Sequence, residues 1–362
     1  MTFTKDEICS FKNLYKAMQL CKRGVMWKDS VAGYVMNALS RTYYLKNNLM
    51  HDPYKVGKYN RFTVHEPKER NIVSVNFKDR VFQKSLVDNY FYDEISRSFI
   101  HDNAACQIGK GTEHSRKRLI CHMQRYWRKH GLEGYVLKGD LSNFFGSTKH
   151  DLAYSAVAKR VDDEWVKSVS KAVIDSHVYG PQKGIGLEPG SAVVQLIQLA
   201  VLDEFDHFVK EQLRIKYYDR YNDDFIMIHS DREYLKMCLS KVDEWMSTRG
   251  LTLNPRKTQI AKLSQGIKFL GFRFRLTDTG KVLMTLLPEK VSKEKRKLRK
   301  LVAKTKNGEI SKEDVNGNFR SFKANISNSG KKRKGNPGRR ARRSCHGLEL
   351  EMDQFYKRLW EG

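Results

Sequence analysis

Two adjacent carboxylates stand between two apolar runs in the second half of the chain. Asp223 and Asp224 follow Tyr221-Asn222 and precede Phe225-Ile226-Met227-Ile228. Apolar, β-prone runs around Asn-Asp-Asp predict a hairpin over 217–228 with both acids at its tip. Neighbouring carboxylates repel each other and strands disfavour Asp, so a structural role explains them poorly, although a solvated turn is the alternative. A divalent cation would remove the repulsion, and Mg²⁺ prefers hard oxygen ligands.

A third acid, Asp140, ends another apolar run, 134–141. In isolation, an Asp at such a place is often a helix N-cap or a turn residue. Three carboxylates from two strands favour a different interpretation, because two metal ions about 3.5–4 Å apart can hold the attacking and leaving oxygens of a phosphoryl transfer. The three aspartates therefore predict a site for that chemistry.

The elements that must position these acids alternate along the chain. Strand-like and amphipathic helical patterns take turns over 134–141, 191–214, 217–228, 231–249 and 268–274. Asp231 is the expected N-cap of the second helix, and Gly250 is its expected stop. The order strand, helix, hairpin, helix, strand is typical of a split βαβ unit and not of a Rossmann sheet, so the predicted fold class is α+β.

Composition restricts the partners of the chain. Its 362 residues include 68 Lys and Arg against 41 Asp and Glu, a net charge of +27, with 40% hydrophobic residues. Such a chain can bury a core, and its charge requires a polyanion or a membrane surface. The sequence has no apolar run long enough to span a bilayer and begins without the apolar stretch of a signal peptide. We therefore expect a cytoplasmic protein that binds nucleic acid and no membrane.

The six cysteines and the basic residues point the same way. The cysteines are scattered without a C-x-x-C pair, which favours a reducing compartment and predicts no zinc site. Basic residues concentrate in 290–306 and in the Gly/Lys/Arg segment 330–343, which is predicted to be a flexible loop until RNA orders it. The expected nucleic-acid contacts are Lys293, Arg296, Lys297, Lys300, Lys331, Lys332, Arg333, Lys334, Arg339, Arg340, Arg342 and Arg343.

Four motifs in order resemble those of reverse transcriptases. They are Asp140 with an aromatic residue five positions later, Tyr221-Asn222-Asp223-Asp224, Asn254-Pro255-Arg256-Lys257-Thr258 and Phe269-Leu270-Gly271-Phe272. The chain resembles bacterial and phage retroelement enzymes, of the diversity-generating and group II intron-like kinds, with their defence-associated relatives, which implies a protein of a bacterial or phage-infected cell. This resemblance implies a right-hand polymerase with fingers, a split-βαβ (RRM-like) palm and a mostly helical thumb.

The resemblance also implies how the chain is divided into domains. Residues 1–60 would form an N-terminal helical extension, and 61–134, with part of 150–185, the fingers. Residues 135–275 would form the palm, and 276–362 a basic, RNA-binding thumb.

Within this family the three aspartates would be catalytic, and Lys257 would donate a proton to the departing pyrophosphate. The metal site would comprise Asp140, Leu141, Asp223 and Asp224 and hold two Mg²⁺ ions, with Mn²⁺ as the alternative cofactor. In isolation, Lys257 could equally be a surface lysine after a turn.

The implied nucleotide site comprises Lys68, Arg70, Phe145, Gly190 and Gln195. Lys68 and Arg70 would clamp the triphosphate, as a point charge and a bidentate donor. Phe145 would exclude a ribose 2′-hydroxyl, although it could also be a core residue beside its neighbour Phe144.

Two positions near the expected nucleotide site depart from the family pattern. Val194 stands where Ser is usual, and Pro189 where Gln or an aliphatic residue is usual. Phe269, Leu270 and Gly271 match the primer-grip hairpin, although an apolar strand with Gly has an ordinary packing explanation too.

The expected function is RNA-directed DNA polymerisation from a structured noncoding or template RNA, in a diversity-generating-type retroelement. An anti-phage defence enzyme, using a dedicated noncoding RNA or no conventional template, is the alternative. A non-catalytic, maturase-like RNA-binding protein is the hypothesis from another class. Expected partners are template RNA, a DNA or RNA primer and deoxynucleoside triphosphates. An accessory protein or a second reverse transcriptase is left open.

Overall fold

The structure, a computed structural model, describes residues 5–65, 69–177, 183–326 and 346–361. The chain forms two units. Unit 1 comprises Met1–Ser115, Leu137–Met227 and Glu233–Gln259. Unit 2 comprises Arg116–Val136, Ile228–Arg232 and Ile260–Gly362.

Unit 1 begins with helices and a small hairpin. The helices are α1 (Lys5–Ile8), α2 (Phe11–Cys21), α3 (Asp29–Met36) and α4 (Ala38–His51). Strands β1 (Asn60–Val64) and β2 (Arg70–Ser74) pair antiparallel, with Arg61 opposite Val73. Helices α5 (Phe77–Leu86) and α6 (Tyr92–Ser96) follow, joined by a π-helical turn. Side-chain caps fix two of these helices, since Ser10 accepts a bond from the Asn13 amide and Asn76 one from the Asp79 amide.

The middle of the chain alternates helices with the strands of a four-stranded sheet. The elements are α7 (Thr112–His130), β3 (Tyr135–Gly139), α8 (Phe144–Ser147), α9 (His150–Ala158), α10 (Glu164–Asp175), α11 (Ala192–Val201), α12 (Asp203–His207), β4 (Tyr217–Tyr221), β5 (Asp224–His229), α13 (Arg232–Ser247) and β6 (Gln259–Lys262). The sheet order is β4-β5-β3-β6. A strand, helices, a hairpin, a helix and a strand thus form the predicted α+β arrangement.

The hairpin that carries the two adjacent acids forms where the sequence predicts it. Strands β4 and β5 are neighbours, and only Asn222 and Asp223 lie between their ends. Strand β5 buries four consecutive residues, Phe225 to Ile228, which fits a continuous rather than an alternating apolar run.

Of the two predicted helices, the first is interrupted and the second is continuous. The helix expected over 191–214 is interrupted at Leu202, whose ψ of 2° separates α11 from α12, and a π-helical segment, Phe208–Gln212, follows. The helix expected over 231–249 is α13, and Gly250 stops it with a φ of +71°, a conformation that costs glycine little.

Unit 2 contains a second sheet and three packed helices. Strands β7 (Ile267–Phe269), β8 (Phe272–Leu276) and β9 (Val282–Leu286) form a three-stranded antiparallel sheet. Helices α14 (Pro288–Lys306), α15 (Lys312–Ile326) and α16 (His346–Glu361) pack around Leu298, Val302, Val315, Phe319 and Met352. The rings of Phe319 and Tyr356 stack with centroids 4.1 Å apart.

One strand assignment from the sequence is wrong. The run 268–274 is strand-like as predicted, but it does not close the four-stranded sheet: β6 does, and 268–274 contributes to β7, β8 and the turn between them in the other sheet. Periodicity misses β6 because its four residues, Gln-Ile-Ala-Lys, are half polar and only partly buried. Among the helices of the described ranges, none has the length and apolar composition that a membrane span needs.

Candidate active site

The three aspartates come from adjacent strands of the four-stranded sheet. Asp140 directly follows β3, Asp223 lies in the turn between β4 and β5, and Asp224 is the first residue of β5. Since β3 and β5 are neighbours, the ends of these strands bring the acids together. Asp140 is buried, and the other two are partly buried.

Burial and mutual repulsion raise the pKa values of Asp223 and Asp224. The pKa of Asp223 is raised to about 6, chiefly by burial. The carboxylates of Asp140 and Asp224 contribute to this rise, and the Lys257 ammonium opposes it with a smaller effect. Burial also raises the pKa of Asp224, against the opposing charge of Lys138. Clustered carboxylates of this kind favour a bound cation or a proton.

Two lysines contact the acids. The Lys257 Nζ donates to Asp140 Oδ2 at 2.8 Å, and this bond raises the pKa of the lysine. The Lys138 Nζ lies 3.1 Å from Asp224 Oδ1.

Sequence reasoning missed Lys138. Side chains two residues apart in a strand point to the same face, so Lys138 shares the face of Asp140. A cation two positions before an acid at a strand end was the available signal.

The motif around Lys257 is held against the end of β3. The Asn254 amide donates to the Asp140 carbonyl at 2.7 Å, and the Ser142 amide donates to the Thr252 carbonyl at 2.8 Å. Leu141, expected at the metal site, pairs with Leu253 in an isolated bridge and buries its side chain, so only its backbone could bind a cation.

The donor set fits a hard divalent cation. In the described part of the chain, no three His, Cys, Asp or Glu side chains form a closed metal-binding group. Even so, the carboxylate oxygens of Asp140, Asp223 and Asp224 are the ligands that Mg²⁺ prefers, and the buried Asp224 Oδ1 already faces a cation, the Lys138 ammonium, at 3.1 Å.

Phe145 lies beside the loop that departs from the family pattern. Phe144 is buried, whereas Phe145 is half-buried, which leaves part of the latter ring accessible. The Leu187 amide donates to the Phe145 carbonyl at 2.7 Å. Further along this loop, a Cβ on Gly190 would lie 2.6 Å from the Val73 carbonyl oxygen of β2. Glycine is therefore required where the loop meets the hairpin β1–β2.

The two departures lie in different environments. Val194 is fully buried in the core at the start of α11, while Pro189 is exposed. Ser191 caps α11 by accepting a bond from the Val194 amide. Gln195 is half-buried, and the Cys106 Sγ contacts its Oε1 at 3.7 Å. The Val194 departure thus affects packing, and the Pro189 departure affects the surface.

One protein family matches the part of the chain that contains the three aspartates. Residues 60–274, more than half of the chain, match the family described as "Reverse transcriptase (RNA-dependent DNA polymerase)". The chain belongs to the reverse transcriptase family. Among curated proteins, none matches the sequence significantly.

Solved structures of telomerase are similar to this reverse transcriptase. The apo telomerase of Candida tropicalis truncated from its C-terminal domain matches with a TM-score of 0.48 and 16% identity, over 68% of this chain and 59% of the telomerase chain. The apo telomerase of the same organism matches with a TM-score of 0.45 and 13% identity, over 68% of this chain and 53% of the other. The reverse transcriptase thus spans less than two thirds of either telomerase chain.

Of the two remaining expected nucleotide contacts of the reverse transcriptase, the structure describes the backbone of Arg70. Arg70 begins β2, where its backbone pairs with Val64 of β1. Lys68 lies outside the described residues.

In unit 2 of the reverse transcriptase, the expected primer grip is a tight turn. Phe269 and Phe272 are buried in the interior of this unit, and Leu270 and Gly271 both have positive φ between β7 and β8. The buried ring of Phe269 fits the packing explanation, so a primer could be contacted only by the tip of the turn.

Four of the expected nucleic-acid contacts lie on α14. Lys293, Arg296 and Lys300 are exposed on the outer face of the helix, away from Leu298 and Val302. Lys297 is exposed as well, but it donates to Asn318 Oδ1 at 2.8 Å. The others lie outside the described residues: Lys331, Lys332, Arg333, Lys334, Arg339, Arg340, Arg342 and Arg343.

Proposed function

We propose that the protein is an RNA-directed DNA polymerase that copies a structured noncoding or template RNA. The observation that carries the proposal is the meeting of Asp140, Asp223 and Asp224 at neighbouring strand ends, with the pKa of Asp223 raised to about 6 by burial and the adjacent acids. A cluster of hard anionic oxygens at the edge of a sheet is suited to nucleotidyl transfer. Family membership over 60–274 supports the same chemistry.

In this proposal the chain's own residues have distinct tasks. Asp140, Asp223 and Asp224, with the Leu141 backbone, hold Mg²⁺ or Mn²⁺. Two such ions would supply the positive charge that nucleotidyl transfer requires. Phe145 excludes the ribose 2′-hydroxyl, because its half-buried ring offers neither a hydrogen-bond partner nor space.

The basic groups bind phosphates. Lys68 and Arg70 bind the triphosphate from the fingers hairpin. Lys257 protonates the departing pyrophosphate after its ammonium leaves Asp140, to which it is bonded at 2.8 Å. Gly190 and Gln195 border the nucleotide, and the tip of the turn at Leu270 and Gly271 contacts the primer.

The biological setting we propose is a diversity-generating-type retroelement, with an anti-phage defence role as the second candidate. The resemblance of the ordered motifs to both groups supports this pair. A template repeat beside a variable gene in the genome would favour the first. A dedicated noncoding RNA copurifying with the protein, without such a repeat, would favour the second.

Replacement of Asp223 tests the assignment. We expect D223N to lose nucleotide incorporation on a primed RNA template, because the amide is a neutral and weaker metal ligand. Primer extension with Mg²⁺ and deoxynucleotides measures the effect. D243N, on the exposed surface of α13, removes the same charge elsewhere and should retain wild-type activity.

The result separates the proposal from the non-catalytic hypothesis. A wild-type protein that binds RNA but incorporates no nucleotide with Mg²⁺ or Mn²⁺ would support the maturase-like alternative. Primer extension by purified D223N at the wild-type rate would refute the role given to the aspartates.

A further inference from the structure

The turn that carries Asp223 has a backbone conformation that needs support. Asn222 has a φ of 54°, in the left-handed region that residues with a Cβ enter at a cost, although asparagine tolerates it better than most. A turn of only two residues can relax by displacing the acids that follow. The positions of Asp223 and Asp224 therefore depend on what holds the Asn222 peptide.

Arg220 holds that peptide. Its fully buried guanidinium donates from Nη1 to the Asn222 carbonyl oxygen at 2.8 Å. Its Nε and Nη2 donate to the two oxygens of Asp206 at 2.6 and 2.5 Å. The Tyr218 hydroxyl donates to the same carboxylate at 2.6 Å. Because Asp206 lies in α12, the network joins this helix to the turn.

The backbone of Arg220 is fixed as well. Its amide donates to the Asp102 carbonyl at 3.0 Å, and its carbonyl accepts a bond from the Ala104 amide at 3.3 Å. With its backbone and two guanidinium nitrogens anchored, the third nitrogen has a defined position. The arginine therefore acts as a rigid support and not as a mobile contact.

Stability alone explains this network poorly. Burial lowers the pKa of Arg220, but the Asp206 carboxylate raises it above its ordinary value, so the guanidinium stays charged, whereas burial raises the pKa of Asp206 against the pull of Arg220. A buried ion pair can often be replaced by apolar residues of similar volume without loss of stability. What apolar residues could not replace here is the hydrogen bond to the Asn222 carbonyl.

We infer that Arg220 is a positioning residue: anchored by Asp206 and Tyr218, it fixes the Asn222 peptide and thereby sets the Asp223 and Asp224 carboxylates at the spacing from Asp140 that a divalent cation requires. This inference rests on the proposed metal-binding role of the three aspartates. The guanidinium acts through the turn and contacts neither substrate nor metal.

Metal affinity, measured apart from turnover, tests the inference. R220M leaves Asp206 buried without its partner, so a second variant, R220M/D206L/Y218F, replaces the whole network with apolar groups and is expected to keep its fold. We expect both variants to bind Mn²⁺ roughly 10–100-fold more weakly, the usual loss when a supporting partner of a metal ligand is removed. Electron paramagnetic resonance of free Mn²⁺ measures the affinity, and circular dichroism checks the fold. We expect kcat to fall while the KM for primer-template stays constant.

A neighbouring ion pair provides the matched control. Arg160 donates to Asp203, also in α12, at 2.7 Å, and its other bonds go to Ser98 and Ala156. R160M/D203L removes this pair and should keep wild-type Mn²⁺ affinity.

Two results would overturn the inference: wild-type Mn²⁺ affinity and kcat in the triple variant, or an equal loss in R160M/D203L. D223N distinguishes this failure from that of the proposed function. If D223N binds Mn²⁺ like the wild type, the aspartates are not the metal site, and both proposals fall. If D223N loses Mn²⁺ and the triple variant does not, only the role of Arg220 is wrong.

Discussion

At the scale of single residues, the candidate site is a balance of like charges. Asp140, Asp223 and Asp224 repel one another, and the lysines that contact them, Lys138 and Lys257, offset part of that repulsion. Asp223 remains destabilised in its ionised form, since burial and its neighbours raise its pKa to about 6. Such a carboxyl lowers the stability of the metal-free protein at neutral pH.

This raised pKa predicts a pH-dependent stability of the metal-free protein. The Asp223 carboxyl has a pKa near 3.9 when unfolded and about 6 when folded, so folding favours its protonated form. Its contribution to stability is present below about pH 4 and is lost as the pH rises through 6. In EDTA, we therefore expect D223N to have a higher melting temperature than the wild type at pH 7.5, but not at pH 4.

Thermal unfolding at the two pH values measures the difference in melting temperature between D223N and the wild type. Because the other titrating groups are the same in both proteins, their effects cancel in this difference. Equal differences at pH 4 and pH 7.5 would contradict a raised pKa at Asp223. At pH 7.5, Mg²⁺ should raise the melting temperature of the wild type more than that of D223N.

At the scale of elements, the loop before α11 contacts both Phe145 and strand β2, two parts of unit 1 that carry expected nucleotide contacts. The Leu187 amide bonds to the Phe145 carbonyl, and Gly190 lies against the Val73 carbonyl of β2. Ser191 then begins α11 by capping it. The loop thus connects β2, which carries Arg70, to the short helix α8, which carries Phe145.

A methyl group at Gly190 should disturb this arrangement. The Cβ of G190A would lie 2.6 Å from a backbone oxygen, and we expect overpacking to destabilise the protein by about 1–3 kcal/mol. Urea unfolding measures the loss. G33A is the control, because this helical glycine has open space around its Cβ, and its substitution should stabilise the protein by about 0.4–1 kcal/mol. A neutral G190A would show that the loop shifts at no cost.

At the scale of the whole molecule, the net charge of +27 has a partly defined location. On α14, Lys293, Arg296 and Lys300 form an exposed stripe on the side opposite Leu298. Several other exposed lysines are paired with acids, as Lys171 is with Asp175. Unpaired surface cations are the ones that exchange their counterions for nucleic-acid phosphates.

Binding of primed RNA should therefore weaken steeply with salt. We expect K293Q/R296Q/K300Q to reduce the slope of log affinity against log salt concentration by about 2–3, since each phosphate contact contributes about 0.7–0.9. Fluorescence anisotropy over a salt series measures the slope. The control, K167Q/K171Q/K236Q, removes three charges that are paired with nearby acids and should leave the slope unchanged. Equal effects of the two triple variants would assign the slope to net charge alone.

The sequence by itself determined the local features of this protein. Tyr217 to Ile228 encodes a hairpin with acids at its tip, because strand formation and turn chemistry depend on neighbours along the chain. The ordered motifs determined the family, which residues 60–274 confirm. Gly250 ended its helix as predicted, for the same local reason.

Only the tertiary structure decided which distant residues meet. It brought Lys138 to Asp224 and Lys257 to Asp140, selected β6 and not 268–274 as the sheet's last strand, and interrupted the helix at Leu202. It also joined Arg220, in a strand, both to Asp206 of α12 and to the carbonyl of Asn222 in the turn that carries Asp223. Such contacts depend on packing between segments far apart in sequence, where periodicity and turn propensity carry no information.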